Sequence, residues 1–458
     1  MPAQLPIPYY LCLMAMLFLL WRSWTFRKQG WGIPSLLVLM TTAAWYMIDP
    51  LYNDYDKYVR SVGLDNLYMA WCEVLLFFVA FGFLAPYVHK KINSPLLGKG
   101  SQIIKMMNGF DIEKPHFQDQ IDLLGRLLFS AWIALMVIAL FKVDFDFVGL
   151  FLPFLSDRAE PWVRGRMGGG LDAFASLAAY FQLMLASLLG ATFVLSLRSS
   201  TMIMTGLAYF AAASFYLFGR TRNSMLAVLM PAIMGLVTLR IRGGVLLRIL
   251  VLGLCFMSIE SWFKFIIEHR GKGSIAAQFA NGEEDANKND LKKQKHNGFN
   301  MFEELGYINY FIANGTYKVN WGQRYFAEIV NPVPRVLWPD KPMIGIDYAL
   351  ARGMGYGNQD ASSGGVAASI STGMIGQGVV NFGRILGPIA SALLMAIWVA
   401  VLARQDLMGN DIGHLLLYAI GLALTFNMGR DITLLVLYPF VFGWLLLWWN
   451  NRRKQGGG

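Results

Sequence analysis

Long apolar runs broken by short charged loops fill the first half of the chain and return at its end. They fall at 7–24, 33–49, 66–88, 122–142, 171–197, 201–218, 223–239 and 244–265, then near 385–403, 411–427 and 431–449. Each is about 17 to 25 residues long, which at about 1.5 Å per residue matches roughly 30 Å of hydrocarbon. None alternates over about 10 residues as a membrane-barrel strand would. The pattern predicts an all-α polytopic integral membrane protein with about eleven spanning helices, within a range of about 10 to 12. The opening MPAQLPIP has neither a positive n-region nor a small-residue cleavage site, so the first run reads as a retained helix.

Between residues 266 and 366 the pattern changes to about a hundred mostly polar residues on the external side, too long for a mere connector. Residues 281–298, NGEEDANKNDLKKQKHNG, are of mixed charge and read as a mobile surface loop. Residues 299–313, FNMFEELGYINYFIA, recur apolar at helical spacing and predict a helix lying on the bilayer surface. Residues 319–342 carry aromatics and then NPVPRVLWPDKP (331–342), whose prolines rule out a helix interior or a central strand. They place Arg335 and Lys341 at a stiff bend, and the whole segment reads as a lid over a cavity between helices. The expected organisation is an N-terminal bundle of about eight helices over 1–265, an external lid with amphipathic helices over 266–384, and C-terminal helices with a tail over 385–458.

Composition agrees: 56% of the 458 residues are hydrophobic, only 15% are charged, and mean hydropathy is +0.45. Lys and Arg accumulate in alternate short loops, at Arg22, Arg27 and Lys28, at Lys90, Lys91, Lys99, Lys105 and Lys114, at Arg198, and at Arg240, Arg242 and Arg248. By the positive-inside rule these are cytoplasmic, so the N-terminus lies outside. The basic tail, Arg452 to Lys454, is then cytoplasmic only if VAASISTGMIGQGVVNFG (366–383) does not cross alone, which predicts an interfacial or re-entrant helix there. The net charge of +10 reflects these anchoring loops, and no nucleic acid is implied. Cys12, Cys72 and Cys255 lie in apolar runs and suggest small core residues, not a disulfide framework or thiolate metal site.

A second set of arginines breaks the rule. Arg158, Arg164 and Arg166, Arg220 and Arg222, Arg324, Arg335 and Arg430 all map to the external face. Cations gathered there ask for an anionic partner, and the guanidinium fork matches diphosphate oxygens at any pH. Snorkelling to lipid headgroups is the alternative for any one of them. A pair of magnesium-ligating acids drawn from Asp49, Asp54 and Asp56 is another way to stabilise a diphosphate, although Asp at a helix end is also ordinary turn chemistry. Fixed arginines without metal or other cofactor account better for the number of external cations.

The PxPRxxWPDKP-like loop, the following GMIGQGVVNFG and a late Arg430–Asp431 pair at a helix start resemble the bacterial oligosaccharide repeat-unit polymerases. These are the Wzy-type O-antigen and exopolysaccharide polymerases, related to O-antigen ligases within the GT-C class. The likeness covers roughly 320–435; Asn381, Phe382 and Gly383 fit its Gly-rich stretch, while Gln377 stands where a Glu is common. The resemblance implies a GT-C-like fold in the bacterial inner membrane with a periplasmic active site. It implies a polyprenyl-diphosphate-linked glycan donor, a second lipid-linked repeat unit as acceptor, and no nucleotide sugar. A chain-length regulator and a flippase are the expected protein partners, beside membrane lipids.

For such a transfer, negative charge growing on the leaving diphosphate must meet fixed cations, and the acceptor hydroxyl must lose a proton. Arg335, Arg324 and Arg430 are the catalytic candidates, with Arg164, Arg166, Arg220, Arg222 and Lys341 as further diphosphate ligands. Arg222 opens a helix, where free N–H groups add to anion binding. Bases are drawn from His269, His296, Glu303, Glu304 and Glu328; Glu328 is nearest the motif, and His269 sits just outside a helix. Trp321, Trp338 and Tyr356 are placed to stack on sugar faces, the competing reading being an interfacial aromatic belt. Asp431 reads as a helix-dipole partner and His414 as a packing residue. No dinucleotide fingerprint, Walker loop, HExxH or paired CxxC occurs, so nucleotide hydrolysis, zinc and redox chemistry have no support. A flippase would also carry cavity arginines but more often shows matched halves, and no internal repeat is present. An O-antigen ligase differs only in its acceptor.

Overall fold

The computed structural model describes residues 5–52, 55–107, 115–156, 159–162, 172–218, 222–241, 243–268, 301–330, 333, 337–342, 346–352, 371–409, 412–430, 432 and 434–456. Among them every regular element is a helix and none is a strand. The helices named below are α1 (Ile7–Thr25), α2 (Gly32–Thr42, continued by a π-helical stretch, Ala43–Met47), α3 (Asp49–Tyr52), α4 (Tyr55–Val62), α5 (Leu64–Ile92), α6 (Pro115–Lys142), α7 (Asp172–Leu195), α8 (Ser199–Leu217), α9 (Arg222–Gly235) and α10 (Val245–Glu268). After the external segment begins come α11 (Met301–Ala313), α12 (Gln323–Val330), α13 (Ile346–Ala351), α14 (Met374–Leu407), α15 (Ile412–Met428) and α16 (Leu434–Gly456). Eight helices among the described residues are long and apolar enough to cross a membrane, each at a position the hydropathy pattern predicts. Shorter apolar helices, Ser224–Gly235, Gly413–Met428 and Pro439–Trp449, stand at the other three.

Contacts divide the chain into two units that interleave along the sequence. One comprises Met1–Ser101, His296–Leu407 and Thr425–Leu434; the other comprises Gln102–Lys295, Met408–Leu424 and Leu435–Gly458. In the first unit α5 is the axis. Its Trp71, Phe77, Phe78 and Phe81 are fully buried, and Trp71 meets Tyr9 of α1 edge-on and Phe302 of α11 at 4.0 Å between ring centroids. Pro86 lies inside α5 and has no N–H to give the Gly82 carbonyl one turn back. Arg22 of α1 supplies the missing donor, its Nη1 lying 2.8 Å from that oxygen, as a backbone shielded from water requires.

Helix α14 is two helices in one. Gly383, at φ 78° and ψ −177°, takes a conformation open only to glycine and turns the chain back on itself. Residues 374–382 then lie antiparallel to the start of 384–407: Ser391 Oγ donates to the Met374 carbonyl at 2.8 Å, and Gly378 faces Gly387. A Cβ on Gly378 would stand 2.2 Å from the Gly387 oxygen, and one on Gly387 would stand 2.6 Å from Val379 Cα. Only hydrogen at both positions lets the backbones meet. The doubled-back helix occupies the 374–382 part of the segment expected to be re-entrant.

The second half of α14 runs parallel to α5. Asn93 Nδ2 donates to the Ala400 carbonyl at 2.9 Å at one end; at the other, Asn309 Nδ2 donates to Glu73 Oε2 at 2.8 Å and Arg384 Nη2 to the Asn309 carbonyl at 2.9 Å. The Asn93 end is the basic one, since it gathers Lys90 and Lys91, and Leu407 packs against Gly30 beside Arg27 and Lys28.

In the second unit α7 is the axis for α6, α8 and α9. Phe117, Ile121, Ala191, Leu195 and Leu416 form one core cluster. Pro231 inside α9 repeats the lesson of Pro86: the Ala227 carbonyl it leaves free is taken by Ser187 Oγ at 2.7 Å.

Two expectations change. Residues 301–313 do not form a free surface helix; α11 buries eight of its thirteen residues, Glu303 and Glu304 included. Of the cysteines, Cys12 is buried but Cys72 is exposed.

Candidate functional site

The end of the first unit away from the basic loops holds a concentration of buried polar side chains. Four short segments bring them together: α11, α12, α13 and the hairpin in α14.

Helix α11 is seated by Asp49. Its Oδ2 accepts the Phe302 and Glu303 backbone N–H groups at 3.0 and 3.2 Å, and its Oδ1 accepts the Tyr58 hydroxyl at 2.7 Å. A carboxylate at a helix N-terminus satisfies donors that the helix cannot and opposes the dipole. Asp49, weighed from sequence as a metal ligand, therefore has both oxygens engaged, Oδ2 by α11 and Oδ1 by Tyr58 of α4. Asp54 lies outside the described residues, and Asp56 is exposed on α4.

Glu304 on α11 then locks α13. Arg352 Nη2 lies 2.7 Å from Glu304 Oε1, the Tyr348 hydroxyl donates to Glu304 Oε2 at 2.7 Å, and the Arg352 guanidinium stands 3.6 Å over the Tyr307 ring. Burial, and next the Glu304 charge, push the Tyr348 phenol well above its usual pKa of 10. For Arg352, burial works against the charged form, yet Glu304 outweighs it and the pKa is raised.

Helix α12 carries Arg324 and Glu328, four residues apart and hence on one face, and both point inward. Glu328 Oε1 accepts Gln377 Nε2 at 2.7 Å. Gln377 also holds Ile432 from both sides, accepting its N–H at 2.8 Å and donating to its carbonyl at 3.2 Å. The amide at a position where the resembled family favours a Glu is thus a clamp joining α12, the hairpin and the strand of chain after α15. Asn381 completes the seat, donating to the Gln377 carbonyl at 2.7 Å and accepting the Tyr325 N–H at 3.4 Å.

Arg324 differs from its neighbours. Only 6% of it is exposed, and its Nε and Nη1 have no hydrogen-bond partner. Its charge reaches Tyr348. A buried guanidinium whose Nε and Nη1 lack partners among the described residues carries a desolvation cost, which an anion bound there would offset.

Among the other residues read from sequence, Arg430 is half-buried in the turn two residues before Ile432, so Gln377 brings it toward Glu328. Lys341 is buried, and its Nζ donates to the Val333 carbonyl at 2.7 Å, bracing the proline-rich loop. Trp338 packs edge-on to Phe326, and Trp321 projects outward at a positive φ of 50°. Arg222 is the first residue of α9. Arg164, Arg166, Arg220, His269, Arg335 and Tyr356 lie outside the described residues.

Sequence reading passed over Glu73, Arg352 and Arg384. Glu73 is fully buried and tied to Asn309, with its Oε1 unpartnered. A lone acid inside the apolar run MAWCEVLLFF was the available signal, because ionisable groups in spanning helices are seldom idle. Arg384 immediately follows the Asn–Phe–Gly triplet and was hidden by it.

Fold and site together define a class: an α-helical, multi-pass membrane protein with a buried polar cluster that includes Arg324 at one end of its first unit. Comparison takes the matter no further, since no family model, no curated protein and no solved structure matches the chain.

Proposed function

We propose that the protein is a glycosyltransferase that polymerises polyprenyl-diphosphate-linked oligosaccharide repeat units into O-antigen or exopolysaccharide. The observation that carries this reading is Arg324, buried with two N–H atoms open, one helical turn from a buried carboxylate. The opposition between this end and the basic loops supports a periplasmic site in the bacterial inner membrane.

In the proposed reaction the anomeric C–O bond to the donor diphosphate breaks and one to the acceptor hydroxyl oxygen forms. Arg324 holds the charge that grows on the leaving diphosphate, where a dry surrounding strengthens the interaction. Arg430 is a second cation for the diphosphate, and Arg335 is kept as a third from the sequence motif alone. Glu328 takes the hydroxyl proton; Gln377 fixes its carboxylate orientation. The bond from Lys341 Nζ to the Val333 carbonyl braces the described part of the loop, which lowers the entropy lost when substrate binds.

The test uses the purified chain in liposomes with a lipid-linked repeat unit, reading ladder formation on a gel with and without EDTA. A ladder that resists EDTA and falls by about 10²- to 10³-fold in Arg324→Met and in Arg335→Ala is expected. Removing the unpaired buried charge should leave the unfolding midpoint of Arg324→Met unchanged or higher. An undiminished ladder in Arg324→Met defeats the reading. So does lipid movement without new glycosidic bonds, or a single transfer to a different lipid acceptor; these outcomes identify a transporter and a ligase.

A further inference from the structure

Helix α12 has its faces reversed for an element surrounded by water. It buries Arg324 and Glu328 and turns Phe326 and Ile329 outward, at 49% and 64% exposure. The residues around it continue the outward apolar surface: Trp321 is 72% exposed, Leu337 is 77% exposed, and Trp338 packs on Phe326. Contiguous large apolar side chains left open mark an interaction surface, whereas isolated ones would not.

The position of this surface identifies its occupant. Helix α12 rests on the hairpin turn of α14: the Asn320 N–H donates to the Val380 carbonyl at 3.3 Å, the Tyr325 N–H reaches Asn381, and the Tyr325 ring stacks on Phe382 at 6.1 Å. The first residues after that turn, Ile385 and Leu386, are themselves exposed, and Leu393 and Ile397 continue the same outward apolar surface along the spanning part of α14. The apolar face of α12 is therefore continuous with a membrane-spanning surface at the level where that surface begins. Tryptophan at such a level matches the interfacial belt, where an apolar ring needs a wet edge.

We infer that α12, with Trp321, Leu337 and Trp338, is an interfacial anchor whose apolar face is seated in the headgroup and upper acyl region of the bilayer. Lipid holds the helix from outside while the hairpin holds it from inside. The sugar-facing role considered for Trp321 and Trp338 gives way, under this inference, to lipid contact. The inference is independent of the proposed reaction and is tested without it.

The full chain, carrying Cys12→Ala, Cys72→Ala and Cys255→Ala, receives one new cysteine at a time, Phe326→Cys, Ile329→Cys, Ile385→Cys or Lys318→Cys, and is labelled with bimane in phospholipid nanodiscs. Quenching by a shallow nitroxide lipid is expected at 326, 329 and 385, with several-fold protection from aqueous iodide relative to 318. Free access of iodide to 326 and 329 without lipid quenching overturns the inference. Protection that appears only as protein concentration rises also overturns it, because the occupant is then a second copy. Hydroxyl-radical labelling of the unsubstituted chain in nanodiscs gives the same answer without cysteine replacement: Phe326 and Trp338 should be protected there, and labelling of both at the rate of freely hydrated aromatic side chains would overturn the inference.

Discussion

Helices α11 and α12 are both short, both amphipathic and both lie in the segment between the two groups of spanning runs, yet they solve opposite problems. Helix α11 buries its apolar residues Met301, Phe302, Leu305 and Ile308 together with its acids, because the aromatic end of α5 covers one side and the Asp49 and Arg352 partners cover the other. Helix α12 buries Arg324 and Glu328 beside the smaller Ala327 and Val330 and leaves its largest apolar side chains, Phe326 and Ile329, uncovered. Amphipathicity states that a helix has two faces; the surroundings decide which face is the inner one.

The contrast yields matched tests. Phe302→Ala removes a buried ring whose centroid lies 4.0 Å from that of Trp71 and should cost about 4 kcal/mol of unfolding free energy, read from denaturation in detergent. A loss below about 1 kcal/mol would mean that α11 is not part of the core. Gly387→Ala comes next: the added carbon would meet the 378–379 backbone, so the hairpin under α12 must open, at about 3 kcal/mol. Accessibility of Arg324 to a guanidinium-directed reagent should rise with it, while the α11 contacts persist.

The third test is the contribution of the α11 side to the pH dependence of stability. The folded Tyr348 phenol is held protonated above the ordinary tyrosine pKa, so its contribution is complete below about pH 10. As pH rises past that point the unfolded phenol ionises and the folded one does not, and stability falls by about 1.4 kcal/mol per unit. Tyr348→Phe should lessen the slope by that amount between pH 10 and 11, and an unchanged slope would show that Tyr348 does not contribute to it. The smallest effect belongs to α12. Phe326→Ala should alter detergent stability by less than about 0.5 kcal/mol, since the ring is largely uncovered there. A loss comparable with Phe302→Ala would erase the distinction between the two helices.

Much of the framework is legible along the chain. Run length alone locates the spanning helices, because a segment of hydrocarbon-matching length must satisfy its backbone internally and helix is the local way to do so. Charge bookkeeping at the C-terminal tail picks out 366–383 as a segment that cannot cross alone, and Gly383 turns its described part back. Arg324 and Glu328 are legible as candidates because their chemistry stands out beside a rigid proline loop. Their arrangement is not: Gln377 grips Glu328 and Ile432, joining residues 49 and 55 positions apart, which no local pattern specifies. Likewise Pro86 and Pro231 are visible as breaks, but their rescue by Arg22 and Ser187 depends on which helix lies alongside.

By itself the sequence determined the number and placing of apolar runs, the helical class and the residue types able to meet an anion, since these depend on local composition and period. The tertiary structure alone decided that α11 turns inward and α12 outward, that two glycines permit a hairpin, and that Arg324 is the buried cation with open donors. Those outcomes depend on which surfaces meet, and contact free energy between distant segments has no signature in either segment read alone.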